Sequence, residues 1–185
     1  MAIKNQKEYF NNTYEKGSII HKTIKLLGIS EGHSVLDVAS GTGILYSFLK
    51  HNPLSNYVAL DISENMLKEL EHLYPKTKTI CDDFDKEINL EEKFDYIIIF
   101  NSIPHFENLN IVFSNVRKHL KIGGIFAIAH SKTRQELKEH HARIGYDLGR
   151  EAIPNNNTLD GLAKKYEFKD VIIRDDDFFY FSRKK

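Results

Sequence analysis

Ser34-Val35-Leu36-Asp37-Val38-Ala39-Ser40-Gly41-Thr42-Gly43 reads as a short buried strand that ends in a carboxylate and breaks into a glycine turn. Ile44-Leu45-Tyr46-Ser47-Phe48-Leu49 follows with a helical pattern. Glycines at 41 and 43 permit positive φ and leave no Cβ in the way of a ligand. A helix that opens there presents unpaired N–H groups and the positive end of its dipole. Strand, glycine turn and helix in that order form the mouth of a nucleotide-type cofactor site in an open α/β sheet.

Working outward, strands and helices alternate. Residues 5–28 read as helix, with Ile19, Ile20, Ile24 and Leu27 on one face and Gly28 as its stop. After the strand at 34–38 come a helix at 43–51, a strand Tyr57–Leu60 and a helix carrying Met66, Leu67, Leu70 and Leu73, capped by Ser63. Lys78–Cys81 is a short strand, and Cys81 at its end reads as buried and inert. Phe94–Phe100 is continuous and β-branched, as expected of a central parallel strand covered on both faces. Ile111–Leu120 is helical, Gly123-Gly124 turns into a strand Ile125–Ala129, and helices follow at 132–148 and Thr158–Tyr166. Val171–Arg174 and Phe178–Phe181 flank an aspartate corner and read as a hairpin. The expectation is a mostly parallel sheet with an antiparallel edge strand.

A chain of 185 residues suits one domain with its own core. Lys plus Arg equals Asp plus Glu at 26 each, so bulk charge favours neither nucleic acid nor an anionic membrane. The longest apolar run, Tyr96–Phe100, is far too short to span a bilayer, and Met1–Gln6 lacks a signal-peptide core. One cysteine excludes an internal disulfide framework and fits a reducing, cytoplasmic setting. The expected partner is a small-molecule substrate, without nucleic acid or membrane, for a monomer or homodimer.

Polar residues fall at four successive strand ends: Asp37, Asp61, Asp82-Asp83 and Asn101-Ser102. Asp61 lies 24 residues after Asp37, close to the spacing of a ribose-binding acid. A dinucleotide fingerprint requires a third glycine where Tyr46 stands, and the Gly-Lys-Ser/Thr of a phosphate-binding loop is missing. A nucleoside-containing cofactor without a pyrophosphate fits this pattern best.

In these motifs the chain resembles the class I S-adenosylmethionine-dependent methyltransferases over nearly its whole length, and within them the ubiquinone/menaquinone-type branch. Asp37–Gly43 resembles the family's first motif, with Ala39 in place of a frequent glycine; Ser40, Gly41 and Gly43 are its loop. Asp61, followed by Ile62, matches the ribose-binding acid, and Met66 the adenine-lining residue. Asp82-Asp83-Phe84 matches the third-strand motif, and Asn101 falls near the sulfonium. The resemblance also makes Tyr14 or Phe10 a residue that closes over the cofactor. It implies an α/β fold: a seven-stranded Rossmann-like methyltransferase sheet, mostly parallel with an antiparallel C-terminal hairpin strand and helices on both faces. It further implies a single domain over 1–185, with helical lids at 1–28 and 132–157. The implied reaction is methyl transfer from S-adenosylmethionine, leaving S-adenosylhomocysteine, to a small-molecule acceptor. An NAD(P)-dependent oxidoreductase or a non-catalytic S-adenosylmethionine-binding protein is the alternative on the same architecture.

Three histidines fall where an acceptor would sit: His105 beyond the fourth strand, His130 at the end of the fifth, and His141 on the helix after it. His141 shares a helical face with Arg134, Leu137, Ile144 and Leu148, which the spacing turns inward. The series His130-Ser131-x-x-Arg134-x-x-Leu137-x-x-x-His141 resembles one in a branch of small bacterial methyltransferases. Three readings stay open. The histidines are unrelated core residues, or they bind substrate and act as base with Arg134 holding an anionic group. In the third they are metal ligands, His105, His130 and His141 holding a divalent ion with an open position.

Overall fold

The computed structural model describes residues 19–176 and 179–185. Phe10, Tyr14 and most of the 1–28 segment lie outside them.

β1 (Ser34–Val38) is buried at every position, as a strand enclosed on both faces must be. It pairs in parallel with β2 (Asn56–Asp61) on one side and β4 (Phe94–Phe100) on the other. β2 pairs with β3 (Lys78–Cys81), and β4 with β5 (Leu120–Ala129), also in parallel. β7 (Phe179–Lys184) runs antiparallel between β5 and β6 (Phe168–Arg174). The order is β3-β2-β1-β4-β5-β7-β6, so the expected seven-stranded sheet with an antiparallel C-terminal strand is what forms. The chain winds outward from β1 to β3 and restarts at β4. The point where strand order reverses is therefore the crevice between β1 and β4, where an open α/β sheet binds its ligand.

One face of the sheet carries Val35, Ala59 and Ile98 under α1 (its described part 19–27), α2 (Ile44–Leu49) and α3 (Glu64–Leu73). The other carries Leu36, Ile97 and Phe126 under α4 (Leu109–His119), α5 (Arg134–Ile144) and α6 (Asn156–Lys165). Burying each large aliphatic or aromatic side chain in these layers stabilises the fold by about 1.5–3 kcal/mol before entropy is counted. Tyr46 is accommodated because its ring packs against Tyr57 and Tyr74, with centroids 4.6 and 5.1 Å away.

Several boundaries move. β5 begins at Leu120, so Gly123-Gly124 lies inside the strand rather than in a turn before it. A Cβ on Gly124 would stand 2.9 Å from Lys121 O and 3.0 Å from Asp95 O, and only glycine permits that approach. α5 ends at Ile144 because Gly145, at φ 68°, closes it in the left-handed region. Ile144 is consequently 59% exposed rather than turned inward. Cys81 is exposed, not buried: its Sγ contacts Ile62 O at 3.7 Å, at the open end of a peripheral strand. Among the described residues no helix is long and apolar enough to cross a membrane.

Candidate active site

The chain leaves β1 through Ala39 at φ 56°, Gly41 at φ 55° and Gly43 at φ 85°. Gly43 serves as the cap of α2, and a Cβ there would also meet Leu70 Cγ at 3.0 Å. Gly41 differs: a Cβ on it meets nothing within 4 Å among the described residues, which leaves room there for a ligand. The Gly41 N–H donates to Asp61 Oδ2 at 2.8 Å, and the Ser63 N–H to Asp61 Oδ1 at 2.8 Å. One carboxylate thus clamps the loop to the end of β2 and retains lone pairs for further donors. Ser40 is 5% exposed and its Oγ has no hydrogen-bond partner among the described residues. A buried hydroxyl left without a partner beside a glycine loop calls for a polar group to satisfy it, and a bound ligand can supply one.

Asp37 corrects the expectation of a carboxylate at the mouth. Strand alternation sends it with Val35 to the face under α2, where it is 1% exposed. Its Oδ2 accepts from the Tyr57 hydroxyl at 2.5 Å. Burial pushes its pKa up to about 7, which the Tyr57 bond opposes and the charge of Asp61 reinforces. Asp37 supports the loop from beneath.

Ile62 and Met66 are 68% and 46% exposed beyond β2, leaving an apolar bed next to Asp61. Asp82 is exposed at the end of β3, while Asp83 pairs with Lys86 at 3.1 Å. Phe84 is a second correction. Its ring is 3% exposed and packs in the core, edge-on to Phe106, so it is no cofactor contact.

Across the crevice Asn101 also adopts positive φ, 56°. Its N–H donates to Ala129 O at 2.9 Å and its Oδ1 accepts from the Ser131 N–H at 2.7 Å. The carboxamide therefore ties the ends of β4 and β5 together. Ser102 Oγ donates to Phe100 O (3.0 Å) and lies 3.3 Å from Ala39 O, joining this turn to the glycine loop. A 3-10 turn, η1 (Ile103–His105), follows and leaves His105 exposed.

The histidines separate. His130 is 5% exposed, with Nδ1 accepting from the Lys132 N–H at 3.1 Å. His141 is half-buried and lines a cavity of about 600 Å³ between α5 and the 146–153 loop, its ring edge-on to Tyr146. Among the described residues no three His, Cys, Asp or Glu side chains are gathered closely enough to hold a metal, so His105, His130 and His141 do not form a ligand set. Arg134 turns its Nε and Nη2 to Pro154 O, at 3.2 and 2.6 Å, and its Nη1 to Asp175 at 3.0 Å. Those bonds fasten α5 to the rest of the fold. Arg150 is the residue that sequence reasoning missed: its Nη2 donates to Pro104 O (2.9 Å) and Phe106 O (2.8 Å). The contact spans 44 to 46 residues, and no local spacing signals it.

Residues 36–126 match the methyltransferase-domain family. The chain is 26% identical over 152 residues to the sterol 24-C-methyltransferase of Gibberella zeae, covering 76% of this chain and 37% of that one. It superposes on an S-adenosylmethionine-dependent methyltransferase of Clostridium acetobutylicum with a TM-score of 0.70 at 19% identity, over 92% and 91% of the two chains. It also matches a Haemonchus contortus phosphoethanolamine N-methyltransferase solved with S-adenosylhomocysteine, with a TM-score of 0.69 at 18% identity over 92% and 52%. The chain spans less than half the length of the curated relatives it matches. The family match over residues 36–126 and the strand order are those of a class I S-adenosylmethionine-dependent methyltransferase domain. Ser40, Gly41, Asp61, Ile62, Met66 and Asp82 are the residues suited to hold that cofactor.

Proposed function

We propose that the chain transfers a methyl group from S-adenosylmethionine to a small-molecule acceptor seated in the cavity between α5 and the 146–153 loop. The observation that carries the reading is the Gly41–Asp61 clamp, beside which, among the described residues, the glycine loop is open and the Ser40 hydroxyl unpartnered. Bound S-adenosylmethionine supplies a methyl already activated on a sulfonium. Asp61 accepts from the ribose hydroxyls, Ile62 and Met66 cover the adenine, and Asp82 meets its amine. Ser40 and the backbone around Gly41 hold the methionine end. Asn101 fixes the β4–β5 rim on which the acceptor must align.

Arg150 connects the cavity to this rim, because its bonds to Pro104 O and Phe106 O seat one cavity wall on the turn that follows β4. His141 is the group we assign to proton removal. Its imidazole nitrogens make no hydrogen bond among the described residues, and it faces the cavity. Arg134 lines the same cavity, while His105 and His130 lie outside its lining and take no part in this assignment. A cavity of about 600 Å³ suits a small ligand, and the balanced charge of the chain gives nucleic acid no broad electrostatic footprint.

Calorimetry with S-adenosylhomocysteine and with NAD tests the reading. S-adenosylhomocysteine binds and NAD does not, and Asp61→Asn weakens binding by roughly tenfold or more, through loss of a charge-assisted bond to loop and ribose. Binding of NAD with no response to S-adenosylhomocysteine sinks the proposal.

A further inference from the structure

The acceptor-side cavity has a charge pattern that the methyltransferase reading leaves unused. Its lining includes Arg134, Lys138 and Arg150 against Asp147 and Glu151. Two of these five are already satisfied. Arg134 is paired with Asp175, and Asp147 Oδ1 accepts from the Gly149 N–H of its own turn at 2.8 Å. Arg150 is anchored but not neutralised. Both of its bonds run from Nη2 to uncharged carbonyls, which fix the plane of the guanidinium and leave the Nη1 and Nε donors for a ligand. Lys138 makes no ion pair or hydrogen bond among the described residues. It precedes His141 by one turn of α5, and both line the cavity. Among the described residues Glu151 is then the single carboxylate in the lining without a polar partner, against two cations that no carboxylate pairs.

We infer that the acceptor carries a carboxylate or phosphate group, seated by Arg150 and Lys138 beside His141. The inference rests on the methyltransferase reading of the site. The planar fork of Arg150 recognises the oxygens of such a group two at a time, and the Lys138 ammonium adds a point charge. Since Arg150 is fastened to the turn after β4, an anion held there is positioned relative to the cofactor crevice and not merely attracted to α5.

The test uses the full chain loaded with S-adenosylhomocysteine and follows thermal unfolding with benzoate, phenyl phosphate or the neutral benzamide. Benzoate or phenyl phosphate raises the melting temperature and benzamide does not; whichever of the two acts at lower concentration separates a carboxylate from a phosphate ester. Lys138→Gln, on an exposed part of α5, weakens the apparent affinity for that anion roughly tenfold, and Arg150→Lys, which keeps charge but loses the fork, weakens it as well. Equal responses to benzoate and benzamide overturn the inference. So does an anion response unchanged in both variants, while S-adenosylhomocysteine binding stays intact. Failure to bind S-adenosylhomocysteine at all instead overturns the transferase reading and takes the acceptor assignment with it.

Discussion

A carboxylate near a strand end can point to the mouth of a sheet or into its layers, and Asp37 and Asp61 divide on that point. Asp61, the last residue of β2, reaches the loop and receives two backbone N–H groups. Asp37 lies one residue before the end of β1 and accepts from Tyr57 beneath the loop. Its pKa, pushed up to about 7 by burial, has a consequence for stability. Between about pH 4 and 7 the unfolded chain has released the Asp37 proton and the folded chain retains it, so this group's contribution falls as pH rises through that window and is constant above it. Asp37→Asn keeps an acceptor for the Tyr57 hydroxyl and removes the titration. Urea denaturation from pH 4 to 8 therefore shows the variant gaining on the wild type at up to about 1.4 kcal/mol per pH unit, then levelling off near neutrality. Parallel curves would mean that the buried carboxyl is ionised throughout.

At the scale of elements, α4 organises the segment that follows β3. Asn115 donates to Phe84 O and Lys86 O and accepts from the Ile88 N–H. His119 accepts the Leu90 N–H on Nε2 at 2.9 Å, with Nδ1 2.8 Å from Asn115 O, which fixes a neutral tautomer donating from Nδ1. Asp85 returns the favour by accepting the Glu107 and Asn108 N–H groups ahead of α4. Burial holds the His119 pKa below its ordinary value. Its contribution is then fully present above the unfolded pKa of about 6.5 and is lost as pH falls through the folded one. Acidification from pH 7 to 5 accordingly lowers hydrogen-exchange protection at Leu90 in the wild type. His119→Gln costs about 1 kcal/mol at pH 7 and removes most of that pH response. An identical pH response in the variant would place the titrating group elsewhere.

How much could be read beforehand also follows scale. The strands, their order of appearance and the glycine loop were legible because parallel core strands are continuous apolar runs and the loop's glycines sit where positive φ is required. Gly145 ends α5 four residues before the spacing of Leu148 suggests, because a residue in the left-handed region outranks apolar periodicity. The inward turn of Asp37, the burial of Phe84 and the Arg150 anchor were illegible, since each depends on a partner 20 to 46 residues away. Among the proposed site residues, the place of Asp61 at a strand end was readable from the sequence, whereas its clamp on the glycine loop and the scattering of the three histidines needed three dimensions.

At the scale of the whole molecule, the last strand fastens the two ends of the topology. β7 lies between β5 and β6, so β6 reaches the sheet only through it. Lys184, its final residue, is 5% exposed and donates to Arg117 O and Leu120 O, both at 2.7 Å. Those are carbonyls at the C-terminal end of α4, where a cation also meets the negative end of the helix dipole. The ammonium therefore joins the terminal hairpin to the helix that braces the segment after β3. Lys184→Met fills the space with an apolar chain but leaves both carbonyls without this donor in a buried setting. We expect a loss of about 2–3 kcal/mol in urea denaturation, with an unchanged m-value because the same surface is exposed on unfolding. If β7 and α4 were energetically independent, exchange protection would fall only in β6 and β7. Loss of protection at Leu90 as well, 29 residues before the last residue of α4 and far along the chain from Lys184, is the result that this coupling requires.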